Sequence, residues 1–218
     1  MSDATITIEG CRTLPQLFLK KSTERGARIA MREKDFGIWQ SYSWDDYREF
    51  AKAIANGLLA CGAQRGDVSS ILSEDCKEWL FADYGAQLAG GTTNGVYPTY
   101  QARQVEHALS DSGTRFLFVE DEEQLDKFLE IEEALPHVER VWVFDWKGLR
   151  DFEHDKVDRI EELYEQGRQY GEQHPGRVER IVADGRPDDL AALVYTSGTT
   201  GLPKGSMLPQ RYAMYQLT

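Results

Sequence analysis

Cysteine is scarce in this chain and poorly placed for chemistry. Cys11, Cys61 and Cys76 are the only three in 218 residues, and no two form a C-x-x-C pair. That spacing excludes the usual zinc sites and leaves an odd thiol, so reduced, partly buried cysteines are expected. Basic residues are also short, 25 Lys and Arg against 37 Asp and Glu, for a formal net charge of −12. A balance of that sign argues against a sequence-independent grip on nucleic acid or a basic patch on anionic lipid. Long apolar runs are missing as well. No stretch reaches the ~18 residues that suggest a transmembrane helix. The first residues, Met1 to Glu9, lack the basic start and apolar run of a secretory signal. A cytoplasmic chain is expected, with any membrane association peripheral. No internal repeat and no low-complexity tract is present.

What remains has the composition of an ordinary globular protein, 41% apolar and 28% charged. Helical spacing predicts helices over 13–25, 43–61, 76–89, 101–110 and 122–135. The second is the clearest, opened by the capping-box pair Ser43 and Asp46 and closed by Gly62. Short strands are predicted at 27–31 and 38–42, flanking a charged turn at Glu33-Lys34-Asp35, and at 68–72, 92–97, 116–119 and 138–144. Several of these strands are apolar without interruption, Phe116-Leu-Phe-Val119 above all, and they alternate with helices. That pattern argues for an α/β fold of three layers, a mostly parallel sheet with helices on both faces. The charged segment 145–187 offers one further helix, 157–170, and then an exposed connection over 171–187.

The chemistry concentrates near the end. A buried strand, Leu190 to Tyr195, runs into Thr196-Ser-Gly-Thr-Thr-Gly-Leu-Pro-Lys-Gly205. Gly198, Gly201 and Gly205 allow close backbone approach, and successive N–H groups can then line an anion-binding hollow. The hydroxyls of Thr196, Ser197, Thr199 and Thr200 add donors, and Lys204 adds a mobile point charge. This is a phosphate-handling composition. It is not a Walker A loop, because counting from Gly198 places Pro203 where the second glycine belongs and Gly205 where the metal-binding hydroxyl belongs.

The ten residues fit, at every fixed position, the T-S-G-T-T-G-x-P-K-G signature that the chain thereby resembles, that of the adenylate-forming enzymes. Further likenesses lie in Ser43-Trp-Asp-Asp-Tyr47 and Arg65-Gly-Asp67. Gly95-Val-Tyr-Pro-Thr99, Phe118 to Lys127 and Arg186 to Ala191 resemble the long-chain fatty acyl-CoA synthetase branch. The resemblance implies a ligase that uses ATP, Mg²⁺, a carboxylic acid (a long-chain fatty acid) and CoA. It implies that Thr196, Ser197, Gly198, Thr199, Thr200, Gly201, Lys204 and Gly205 hold the β- and γ-phosphates of ATP. It also implies that residues 1–218 are the N-terminal portion of an adenylation domain, inactive alone, with the catalytic lysine and the small C-terminal domain beyond Thr218. The alternatives are a non-catalytic nucleotide-binding relative, an aryl-CoA ligase or a peptide-synthetase adenylation domain. One departure stands out: Gln210 and Tyr212 occupy positions where the family often has His and Asn, near the start of a helix expected to open at Pro209.

Other residues are expected to be structural. His107, His137, His154 and His174 are scattered and stand beside no candidate nucleophile or second ligand. The acidic run Glu120-Asp-Glu-Glu123 is explained by a helix start, which favours negative charge, rather than by a metal. The five tryptophans are expected to be packing residues.

Overall fold

The structure is a computed structural model that describes residues 6–196 and 203–218. In chain order it comprises α1 (Leu14–Arg25), β1 (Ile29–Asp35), β2 (Ile38–Ser43), α2 (Trp44–Ala60), β3 (Val68–Leu72), α3 (Lys77–Leu88), β4 (Thr92–Val96), α4 (Ala102–Ser112) and β5 (Thr114–Val119). There follow α5 (Glu122–Ile131) with a short 3₁₀ turn (Glu132–Ala134), β6 (Arg140–Val143), β7 (Val157–Arg159), α6 (Ile160–Gln173), α7 (Arg177–Ala183), β8 (Leu190–Thr196), β9 (Lys204–Pro209) and α8 (Gln210–Gln216).

Strand identity follows from burial on two faces. Ile71, Phe116, Phe118 and Trp142 point to one side of the sheet, packed against α2, α3, α6 and α7. Their neighbours Leu72, Leu117, Val119, Val141 and Val143 point to the other, under α4 and α5. Side chains alternate along a strand, so covering both faces requires an unbroken apolar run. The sheet order is β7-β6-β5-β3-β4-β8-β9, with every pair parallel except β8–β9. Progress is in opposite directions on either side of β3, and the helices change face with that direction, as right-handed crossovers demand.

Local signals explain most element ends. Ser43 Oγ accepts from the Asp46 N–H at 3.1 Å and the Asp46 carboxylate accepts from the Ser43 N–H at 2.7 Å, completing the expected capping box. Thr13 caps α1, and Gly113 closes α4 in the left-handed conformation.

Five expectations need correction. Glu33, Lys34 and Asp35 lie within β1; the turn of the antiparallel β1–β2 hairpin is Phe36-Gly37, both at positive φ. Residues 157–159 form an edge strand, so the helix begins at Ile160. The stretch 171–187 is no mere connection, because α7 lies within it and buries Val178 and Val182. The helix predicted over 122–135 ends as an α-helix at Ile131 and finishes in the 3₁₀ turn. Finally, residues 204–209 form a strand, and Pro209 is the cap of α8 rather than its first residue. Among the tryptophans Trp142 is buried, whereas Trp39 stands 64% exposed on β2.

Candidate functional site

Strand β8 enters the sheet interior between β4 and β9 and delivers Thr196 to its C-terminal edge. Ser197, Gly198, Thr199, Thr200 and Gly201 lie outside the described residues. The chain returns at Pro203 and runs back as β9, antiparallel to β8, with Tyr195 opposite Gly205 and Thr196 opposite Lys204. The loop is therefore rooted on two adjacent strands. Thr196 and Lys204 are both exposed at that root, the position required of groups that meet a ligand. Gly205 permits the close pairing: a Cβ there would lie 3.0 Å from the Tyr195 ring.

The root is held from the α4 side. The Tyr195 hydroxyl, buried at 3% exposure, donates to Asp111 Oδ2 at 2.7 Å. Burial, reinforced by the Asp111 carboxylate, pushes the phenol well above its ordinary range, so it stays protonated and donating. His107 Nε2 lies 2.7 Å from the Pro203 carbonyl oxygen, to which it donates. Sequence reasoning set His107 aside and did not single out Asp111. No local pattern ties His107 to a residue 96 positions away; the available signal was their i, i+4 spacing on one helix.

On the opposite face, towards α3, a cleft of about 530 Å³ opens beside the root. Ala192 and Val194 of β8, Gly95 of β4, the β3 and β4 exit loops at Asp75 and Tyr97, and Trp79 and Asp83 of α3 line it. Its place at the C-terminal ends of the parallel strands, where chain direction reverses around β3, is where open α/β sheets take their ligands. Glu120 shapes the β3 exit by accepting from the Glu74 N–H at 2.7 Å, and Asp121 caps α5 through the Gln124 N–H.

Gln210, one of the two departures from the family pattern, is buried at 4% exposure. Its side-chain oxygen accepts from the Leu14 N–H at 2.9 Å, and its nitrogen donates to Gln87 at 3.0 Å. Gln87 in turn donates to Asp83 at 2.8 Å. Tyr212, the other, is 48% exposed on α8. Gln210 thus has a complete set of structural partners, whereas Tyr212 faces outward.

The described residues offer little as a seat for Mg²⁺. Such an ion wants about six oxygens in near-octahedral array and is usually held by carboxylates together with substrate phosphates. At the root the described residues offer the Thr196 hydroxyl, while the Asp111 carboxylate is committed to Tyr195. No group of three His, Cys, Asp or Glu stands together among the described residues. This set does not form a metal site by itself. No helix among the described residues is long and apolar enough to cross a membrane.

Comparison with known proteins fits this geometry. The long-chain-fatty-acid–CoA ligase ACSBG1 of Bos taurus is 33% identical over 199 residues, covering 91% of this chain and 27% of that protein. ACSBG2 of Xenopus laevis is 30% identical over 199 residues, covering 90% of this chain and 26% of the relative. The chain thus spans about a quarter of the length of these relatives. Among solved structures, the anthranilate CoA ligase AuaEII with anthranoyl-AMP superposes with a TM-score of 0.78 at 20% identity, covering 97% of this chain and 37% of that one. The luciferase-like enzyme of the mealworm Zophobas morio gives 0.71 at 21% identity, covering 91% and 43%. At those identities the structural likeness speaks for the fold. The family described as AMP-binding enzyme matches residues 18–218, nearly the whole length, and the chain belongs to that family.

Proposed function

We propose that residues 1–218 are the N-terminal, phosphate-gripping portion of the adenylation domain of an AMP-forming fatty acid–CoA ligase. The observation that carries this reading is the ten-residue signature Thr196 to Gly205, rooted on adjacent strands at the C-terminal edge of a mostly parallel sheet. Curated relatives named as long-chain-fatty-acid–CoA ligases support the acyl branch.

In this reading a fatty-acid carboxylate oxygen attacks the α-phosphorus of ATP. The bond to the bridging oxygen breaks, and pyrophosphate leaves with the electron pair. CoA thiolate then attacks the carbonyl carbon of the acyl-adenylate and AMP departs, leaving the thioester. Thr196, Ser197, Gly198, Thr199, Thr200, Gly201 and Gly205 wrap the β- and γ-phosphates. Lys204, emerging at the root, offsets charge that grows on the leaving pyrophosphate. Donors fixed in advance where charge develops lower the barrier because they need no reorganisation during the reaction. Holding the non-reacting phosphates also aligns the α-phosphorus for in-line attack. Mg²⁺ belongs to this reading as a companion of the nucleotide phosphates. A cytoplasmic setting, peripheral to any membrane that supplies the acyl chain, goes with it.

The test is fatty-acid-dependent ATP–pyrophosphate exchange in the complete polypeptide carrying residues 1–218. Lys204→Ala and Thr199→Ala should each slow exchange, Lys204→Ala by roughly a hundredfold, the scale of losing one preorganised charge-stabilising group. Exchange at the wild-type rate in both variants would remove the loop from the reaction.

A further inference from the structure

We propose that α4 acts as a clasp on the phosphate loop, with His107 and Asp111 as positioning residues that fix its exit and its entry. The catalytic consequence rests on the ligase reading above; the clasp itself does not.

His107 and Asp111 are one helical turn apart and so share a face of α4. Asp111 holds Tyr195, the residue immediately before Thr196, through the 2.7 Å hydroxyl bond. His107 holds Pro203, the residue immediately before Lys204, through the 2.7 Å bond to its carbonyl. A carbonyl oxygen only accepts, so Nε2 must carry the proton in this contact. The two anchors also touch each other, since the His107 and Tyr195 rings meet edge to face, 6.2 Å between centroids at 86°. Gly205 closes the unit by lying against the same Tyr195 ring.

The helix that carries the clasp is itself immobilised. Val105, Ala108 and Leu109 of α4 are buried against the sheet with at most 1% exposure. Both strands of the root are thus referenced to one rigid element rather than to each other alone. Phosphate binding then orders fewer degrees of freedom, and fixing a binding loop in advance strengthens binding mainly by reducing that entropic cost. A packing residue of similar shape at position 107 would fill the same space and leave the Pro203 carbonyl unheld. The clasp is therefore distinguishable from mere packing.

The experiment compares His107→Phe, which keeps a ring and removes the donor, with His107→Gln, which retains an N–H donor, in the complete polypeptide. Amide hydrogen exchange is followed over 204–207 and, as an internal control, over α6. His107→Phe should accelerate exchange over 204–207 by roughly tenfold, the loss of about one hydrogen bond, and leave α6 unchanged. His107→Gln should return it towards wild type. In pyrophosphate exchange the same pair should split the constants: KM for ATP rises roughly tenfold in His107→Phe, with KM for the acid unmoved. Should His107→Phe fail to fold, Tyr195→Phe, which removes only the hydroxyl held by Asp111, should give the same acceleration. Wild-type amide exchange over 204–207 in the folded variant overturns the clasp, whatever the catalytic assay shows. A wild-type protein with no carboxylate-dependent pyrophosphate exchange overturns the ligase reading instead, and the amide exchange still decides the clasp.

Discussion

Asp83 shows how a single side chain can carry a cost for the whole chain. It lies on α3 at the cleft and accepts from the Gln87 amide at 2.8 Å. Burial raises its carboxyl above the ordinary carboxylate value, outweighing the hydrogen bonds that favour the ion. A carboxyl whose folded value is raised contributes stability below its unfolded value, near 3.8, and loses that contribution as pH rises through the folded value. At neutral pH, where the unfolded carboxyl is ionised, burying this carboxyl therefore works against folding. Asp83→Asn, which keeps an acceptor for Gln87, should raise the melting temperature at pH 7, and the difference should close as pH falls towards 3. Melting curves across that range check it; a variant less stable at pH 7 would contradict the sign. Other residue-level features divide by how local they are. The Ser43–Asp46 pair was legible because both partners sit within four positions. His107 was not, because what gives it meaning is a carbonyl 96 residues away.

At the scale of elements, the tightest contact is between α2 and α6. A Cβ added at Gly167 would lie 1.8 Å from the Ala53 carbonyl oxygen, and one at Gly57 would lie 2.8 Å from the Leu163 carbonyl oxygen. Backbone stands in the way, so the helices would have to part. Gly167→Ala should cost at least about 1–3 kcal/mol, the scale of overpacking a fitted core. Equilibrium denaturation would measure it, and an unchanged midpoint would mean the helices can separate freely. The same contact shows what pattern reading captures and what it misses. The apolar faces of α2 and α6 were visible as 3.6-residue periods, but no such period marks Gly57 and Gly167 as the points where the helices touch. The central strands were visible because burial on both faces leaves no polar alternation. Strand β7 was not, since its three residues Val157-Asp-Arg159 offer one apolar side chain and adjoin a strong helical pattern. Helix α7 hid for a related reason: seven residues with only Val178 and Val182 buried barely exceed one turn of signal. In β9, Gly205 and Pro209 resemble loop punctuation, and the strand exists because β8 supplies its partner.

At the scale of the molecule, Gln210 joins parts of the chain that are furthest apart in sequence. It satisfies the Leu14 N–H at the start of α1 and bonds Gln87 in α3, 196 and 123 residues away. Gln210→Ala would leave a buried N–H and a buried amide without their partner, a loss of roughly 1–3 kcal/mol. A melt that drops while remaining a single transition would match that role; an unchanged melt would show that water replaces the amide. The overall architecture was legible, because alternating helices and apolar strands leave few topologies open. The loop stands in the sequence as a phosphate-handling composition, but its setting was not legible, because a strand that runs back from Lys204 has no periodic signature of its own. That strand has an electrostatic consequence. Where a phosphate loop opens directly into a helix, the helix dipole lends about half a positive charge to the anion. Here α8 begins only after the six residues of β9, about 20 Å along an extended strand. That distance is more than two screening lengths at physiological salt. In the ligase reading the nucleotide's negative charge therefore gains little from the α8 dipole and is met by loop N–H groups, Lys204 and counter-ions, which should make its binding sensitive to ionic strength.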